Sequence, residues 1–266
     1  MQPPPTSAAE AYDRLAPWYD ELTREHEYDR WTRNLEERAL ELGVRGRRLL
    51  DAACGTGKSF MPFLERGWQV TGCDVSAAMV ARARVKAPEA ELLVADIRSL
   101  DRAGRFDLIT CLDDSLNYLT GEGDLEAALA SLARNLAPGG VLLFDLNTLW
   151  TYRTTFARHL TLDGPGAFLA WRGGCGGDEE PGCVAELIVE AFGETGDGLY
   201  ERVTTRHLQR HFPRARVESA LAGAGLCTAG VFGLLPDGSL DSLADEDLHH
   251  KLVYYATAAP RGGDTR

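Results

Sequence analysis

Basic residues are scarce in this chain: 28 Lys and Arg stand against 40 Asp and Glu over 266 residues, a formal net charge of -12. A nucleic-acid or anionic-membrane surface needs a basic patch, so neither is expected as a partner, and a neutral or cationic small substrate fits better. No apolar run is long enough to span a bilayer, and neither a secretory h-region nor a lipidation signal is visible. A cytoplasmic location is the expectation. The six cysteines include no C-x-x-C pair. Cys54, Cys73 and Cys111 lie in or beside apolar stretches and read as buried thiols, while Cys175 and Cys183 flank a Gly-rich acidic loop where pairing or metal binding would need a His partner nearby. No metal is expected. His207 and His211 have i,i+4 spacing, but Pro213 follows and argues against a helix carrying both.

Two glycines are also missing where they would matter. The stretch "LLDAACGTGKSF", residues 49–60, ends like a phosphate-binding loop, yet Ala52 stands where that loop requires its first glycine. A dinucleotide fingerprint begun at Gly55 fails at Phe60. What remains is an apolar strand ending in an acid, a short glycine-rich turn and an apolar helix, a place where a ligand can approach the backbone closely.

What is present is a rhythm. "AAEAYDRLAPWYDEL" and "DRWTRNLEERALELG" read as helices. From "RRLLDAA" onward, short apolar strands alternate with amphipathic helices: "WQVTGCD", "SAAMVARARVKA", "ELLVAD", "FDLITC", "GDLEAALASLARNLA" and "GGVLLFDL". That alternation predicts an α/β fold, a doubly wound parallel sheet whose ligands bind at the strands' carboxyl ends. Residues 151–205 break the rhythm with "GAFLAWRGG", "CVAELIVEAFGE" and "GLYERVTTRHL", separated by Gly-rich loops, and predict an inserted antiparallel meander. "PRARVESALAGAGL" returns to helix, and "CTAGVFGLL" and "KLVYYATAA" predict a closing hairpin. The expected layout is an N-terminal helical lid at 1–45 behind a loose tail "MQPPPTSA", a cofactor-binding core at 46–150, a β-rich lid at 151–205, and the rest of the core at 206–266.

These motifs, in this order, resemble a class I S-adenosylmethionine-dependent methyltransferase of the small-molecule branch that includes glycine N-methyltransferase and the amino-sugar N,N-dimethyltransferases. The branch carries acid-x-[GA]-C-G-T-G after its first strand, here "DAACGTG" with Ala53 in place of the usual glycine. The resemblance implies a seven-stranded Rossmann-like sheet with an inserted lid, and S-adenosyl-L-methionine as cofactor. It further implies that Ala53, Gly55 and Gly57 let the backbone approach the methionine part and that Asp51 orients that end. By the same resemblance Asp74 accepts from the ribose hydroxyls, Val75 and Met79 pack on the adenine, and Asp96 with the Ile97 N–H reads the adenine edge. Leu112 falls beside the methionine amine. "WYDEL" and "YDRW" resemble the branch's lid and would place Tyr19 over the cofactor as a catalytic and cofactor-binding candidate, although Tyr12 and Tyr19 also suit a helix core. Lys58 reads as a solvated first-turn residue.

Enzymes that methylate nucleobase amines carry [DNS]-P-P-[YFW] after the fourth strand, where this chain has "LDDS". A nucleic-acid substrate is therefore not expected. Asp114, Asn117, Asn147, Gln209 and Arg210 are candidate substrate contacts, with loop structure the alternative for Asp113, Asp114 and Asn117. The segment "RHLQRHF" offers His207 as a base titrating near neutral pH, or as a residue that merely satisfies lid acids and carbonyls. Methyl transfer is dominated by positioning, and an amine acceptor needs only its free-base fraction, so N-methylation in secondary metabolism such as antibiotic biosynthesis is favoured. O-methylation with His207 as base is the alternative, and a cofactor-binding regulator without activity is the rival of another class. A homodimer is compatible with either enzyme.

Overall fold

Pro17 decides how the chain begins. The computed structural model describes residues 6–259. The helix expected to run from Ala8 to Leu22 is two helices, α1 (Ala8–Leu15) and α2 (Tyr19–Leu22), because proline has no N–H to donate and its ring crowds the preceding turn. Residues 1–5 of the expected loose tail lie outside the described residues. Thr6 is tied down, donating its N–H to the Arg206 carbonyl and accepting the Arg206 N–H at 3.1 Å, and Ser7 caps α1 by accepting from the Glu10 N–H.

The long helix α3 (Tyr28–Glu41) leads into β1 (Arg48–Ala52), α4 (Met61–Glu65), β2 (Gln69–Asp74), α5 (Ala77–Lys86), β3 (Glu91–Val94), β4 (Phe106–Cys111), α6 (Asp124–Ala133), β5 (Leu136–Asn147) and α7 (Leu149–Thr154). After the lid, α8 (Arg214–Gly223), β10 (Leu226–Leu234), β11 (Leu240–Asp241) and β12 (Lys251–Ala258) complete the sheet. Its order is β11-β10-β12-β5-β4-β1-β2-β3, with β1 to β5 parallel and β12 antiparallel to β5. The seven expected strands are joined by the two-residue β11 at one edge.

Both sheet faces are covered, which is why "VLLF" reads as a continuous apolar run. Leu142 and Phe144 face one core with α6 and α8, whereas Val141 and Leu143 face the other with α3, α4 and α5. The inserted lid is a separate antiparallel sheet of β6 (His159–Gly164), β7 (Ala167–Gly173), β8 (Val184–Glu194) and β9 (Tyr200–Arg210), in that order. One face packs on Leu15, Trp18 and Leu22 of the N-terminal helices and on Tyr152 and Phe156 around α7. Trp18 lies so close to Gly193 that any Cβ there would collide with its indole at 1.8 Å. Strand β9 runs past the boundary read at 205, so "RHLQR" ends a lid strand, and His207 and His211 are not a helix-face pair. Among the described residues no helix is long and apolar enough to cross a membrane.

Candidate active site

Strand β1 ends in a turn that only unusual backbone conformations allow. Ala53, Gly55 and Gly57 all have positive φ, at 58°, 53° and 88°. A Cβ at Gly57 would meet the Phe60 ring at 2.6 Å, whereas one at Gly55 would enter open space. Gly57 is therefore required by packing, and Gly55 leaves room on the cavity side. Ala53 carries left-handed strain of about 1–2 kcal/mol, against about 0.4–1 kcal/mol of chain entropy that a glycine would add to the unfolded state. Ala53→Gly is thus expected to raise stability slightly, by roughly 0.5 kcal/mol; urea unfolding of the variant checks this, and a clear loss would contradict the strain.

The turn borders a cavity of about 360 Å³ at the carboxyl ends of β1, β2 and β4, within the size range of small-molecule sites. Tyr19, Ala53, Gly55, Asp74, Val75, Met79, Asp96, Ile97, Leu112 and His207 line it; Asp51 and Gly57 do not. Asp74 accepts the Gly55 N–H at 2.9 Å and the Ser76 N–H at 2.8 Å, one on each oxygen. A carboxylate has about four lone-pair sites, so Asp74 keeps two for hydroxyl donors. Burial raises its pKa. Asp51 sits behind the turn, accepting from Thr110 Oγ1 at 2.6 Å and from the Ser59 hydroxyl, and burial pushes it up to about 6. Asp96 is gripped by Arg98, whose Nη2 lies 2.6 Å from Oδ2, and that bond holds Asp96 below the usual carboxylate range.

The N-terminal helices close the cavity. Asp20 accepts from the Thr56 hydroxyl and from Lys86 Nζ, and Asp13 accepts the Ala78 N–H at 3.0 Å. Lys58, read as solvated, instead donates to Thr23 Oγ1 at 3.0 Å and to the Thr23 carbonyl, and burial lowers its pKa. Tyr12, Tyr19, Tyr28 and Tyr118 line the same space, all held neutral as burial raises their pKa. The Tyr12 hydroxyl donates to Tyr118, which lies 3.1 Å from His207 Nδ1, and His207 Nε2 lies 2.8 Å from Thr205 Oγ1. With Tyr12 as donor, Tyr118 is free to donate to Nδ1, leaving Nε2–H for Thr205.

Burial lowers His207 to about 4, which corrects the expectation of a histidine titrating near neutrality. The unfolded chain takes up this proton near pH 6.5 and the folded one only near 4. Stability from His207 is therefore full above about pH 6.5 and falls by about 3 kcal/mol as pH drops to 4. His207→Asn is expected to flatten that slope in urea titrations, with an unchanged slope the contrary result.

The expected substrate residues do not line this cavity. Gln209 donates to Asp114 at 2.6 Å and accepts from Asn147 at 2.9 Å; Asn117 donates to the Arg210 carbonyl and accepts the Asn147 N–H at 3.0 Å; Arg210 donates to the Thr120 carbonyl. Together they stitch β9 to the ends of β4 and β5. Beside them Lys251, absent from the sequence reading, lies 2.7 Å from Asp114, 2.9 Å from Asp145 and 3.4 Å from Asp113. A cation opening the apolar strand "KLVYYATAA" was the one available signal. Tyr118, Thr205 and Arg98 were also missed.

A methyltransferase-domain profile matches residues 49–140. The fold superimposes on a crystal structure of a S-adenosylmethionine-dependent methyltransferase from Clostridium acetobutylicum with a TM-score of 0.78 at 24% identity, covering 93% of this chain and 99% of the other. A putative methyltransferase of Bacillus subtilis is 32% identical over 219 residues, 80% of this chain and 85% of its own length. The chain belongs to the class I S-adenosylmethionine-dependent methyltransferases. This methyltransferase is also 30% identical over 192 residues to the dTDP-3-amino-3,6-dideoxy-alpha-D-glucopyranose N,N-dimethyltransferase of Streptomyces fradiae, covering 67% of this chain and 69% of that one. Its cofactor is S-adenosyl-L-methionine. The open side of Gly55 and the two spare acceptor sites on Asp74 suit a nucleoside with a charged amino-acid tail.

Proposed function

We propose that this methyltransferase N-methylates a small-molecule amine, in secondary metabolism like its amino-sugar relatives. The observation that carries the reading is the likeness to the Streptomyces fradiae amino-sugar N,N-dimethyltransferase, and the lack of a free base among the described residues that line the cofactor cavity agrees with it. The four tyrosines are held neutral, His207 stays unprotonated to about pH 4 with both ring nitrogens occupied, Asp96 is paired with Arg98, and the spare acceptor sites of Asp74 are assigned to the ribose. A hydroxyl nucleophile needs a base contributing about 10² to 10⁴ in rate, whereas an amine with a pKa one or two units above neutrality loses only about 1.4 to 2.7 kcal/mol to protonation.

Bound in the cavity, S-adenosylmethionine supplies an electrophilic methyl group on a sulfonium. Asp74 would accept from its ribose hydroxyls, Val75 and Met79 would flank the adenine, and Asp96, already paired with Arg98, would share an oxygen with the adenine amine. The Gly55 turn would admit the methionine end, with Asp51 supporting that turn through Ser59. Tyr12, Tyr19 and Tyr28 would line the space around the cofactor. Under this reading His207 orients Tyr118, and His207→Asn keeps kcat within about tenfold instead of losing the factor a base would supply. The test is mass spectrometry of matched amines and alcohols incubated with enzyme and methyl-labelled cofactor. Label on nitrogen supports the reading; label confined to oxygen overturns it.

A further inference from the structure

We infer that a second cavity, of about 600 Å³, receives the methyl acceptor and selects an amine that carries no phosphate group. The inference rests on the N-methylation reading and adds the location and charge of the acceptor. This cavity lies between the start of α3, the loop after β10 and the first residue of β12, at the carboxyl end of the sheet. It shares Tyr28 and Asp113 with the cofactor cavity. The Tyr28 hydroxyl donates to Asp113, so the two spaces meet at this hydrogen-bonded pair. An acceptor seated in the second cavity would face the first across it.

The charge of the walls sets the kind of molecule. Glu25, Glu27, Asp113 and Asp237 line the cavity against only two permanent cations, Arg30 and Lys251. Arg30 is paired with Asp237 at 2.9 Å, and Lys251 is already shared by three carboxylates. Burial and the neighbouring Lys251 charge hold His250 below its ordinary pKa, so it adds no charge near neutrality. A diphosphate draws on uncommitted Arg or Lys side chains or on a helix N-terminus; among the described lining residues no Arg or Lys is uncommitted, and Glu25 and Glu27 stand at the start of α3, where an anion would otherwise be favoured. Among the described residues the wall offers surplus carboxylates and a buried Trp31 indole N–H without a partner, while the rings of Tyr28 and Trp31 already carry Lys58 and Lys251 Nζ at 5.6 Å and 5.9 Å from their centres. Surplus carboxylates suit an amine on an apolar body over an anion. The Streptomyces fradiae relative is named for a dTDP-linked amino sugar; this wall would repel such a nucleotide.

Trp31 is the local reporter. In ¹⁵N spectra of the enzyme loaded with S-adenosylhomocysteine, cyclohexylamine is expected to shift the Trp31 indole resonance saturably, while thymidine diphosphate leaves it in place. Asp113→Asn is expected to weaken the cyclohexylamine response at least tenfold, and Glu27→Gln, away from the Lys251 cluster, to weaken it severalfold in a protein whose other resonances are unchanged. A thymidine diphosphate response equal to or tighter than that of the amine, or no response to either, overturns the inference. Failure of the N-methylation reading shows differently, as label on oxygen in turnover.

Discussion

Lys251→Met is expected to destabilise the protein by about 3 kcal/mol at pH 7, because it removes the one cation shared by Asp113, Asp114 and Asp145. Asp145 is fully buried and has one oxygen without a hydrogen-bond partner. Burial already raises it to about 6 even with Lys251 beside it. Asp113 is also pushed up by burial, but the Lys251 charge and the Tyr28 hydroxyl bond outweigh that and hold it below its ordinary value. Without the ammonium Asp113 and Asp145 shift upward in the folded state. Stability of the variant is then present at low pH, where they are protonated, and lost as pH rises through their raised values. The deficit relative to wild type should accordingly shrink between pH 7 and pH 5 in urea unfolding. A loss of equal size at both pH values would mean that Lys251 matters for packing alone.

Asp74→Ala is expected to weaken cofactor binding by about 1.5–3 kcal/mol, roughly 10- to 150-fold, since bonds to a charged acceptor are lost and ribose hydroxyls are left unpaired. The variant also frees the Gly55 and Ser76 N–H groups that Asp74 now satisfies, so part of the loss will come from a looser turn. Asp74→Asn separates the two contributions. Its amide oxygen can take one backbone N–H, and its affinity should fall between wild type and Ala. Calorimetry with S-adenosylhomocysteine measures both, and wild-type affinity in either variant would remove Asp74 from the ribose.

The parts of the fold that the sequence disclosed are those where local pattern and burial agree. "VLLF" is apolar on both faces and is a central strand; Gly55 and Gly57 mark a turn that positive φ requires; Asp74 and Asp96 stand at strand ends and reach the cavity. What stayed hidden depends on partners far along the chain. Lys58 is claimed by Thr23, 35 positions earlier, and Lys251 by Asp114, 137 positions earlier, so neither appears in any window of sequence. Strand β6 is an edge with nearly every residue exposed and therefore lacks the alternation that signals a strand. Of the residues read as substrate contacts, Asn117, Asn147 and Gln209 are polar and buried, and Asp114 and Arg210 partly so. They are spent on one another because β9 must be joined to β5 without leaving buried amides unpaired.

On this reading the cavity beside the Gly55 turn holds the methyl donor, and a crystal structure of the enzyme with S-adenosylhomocysteine is the test. The expected result is ribose hydroxyls within hydrogen-bond distance of Asp74, the adenine between Val75 and Met79, and the amino-acid end at Gly55 beneath Tyr19. A ligand whose ribose lies away from Asp74, or that occupies the cavity lined by Trp31 instead, would contradict it.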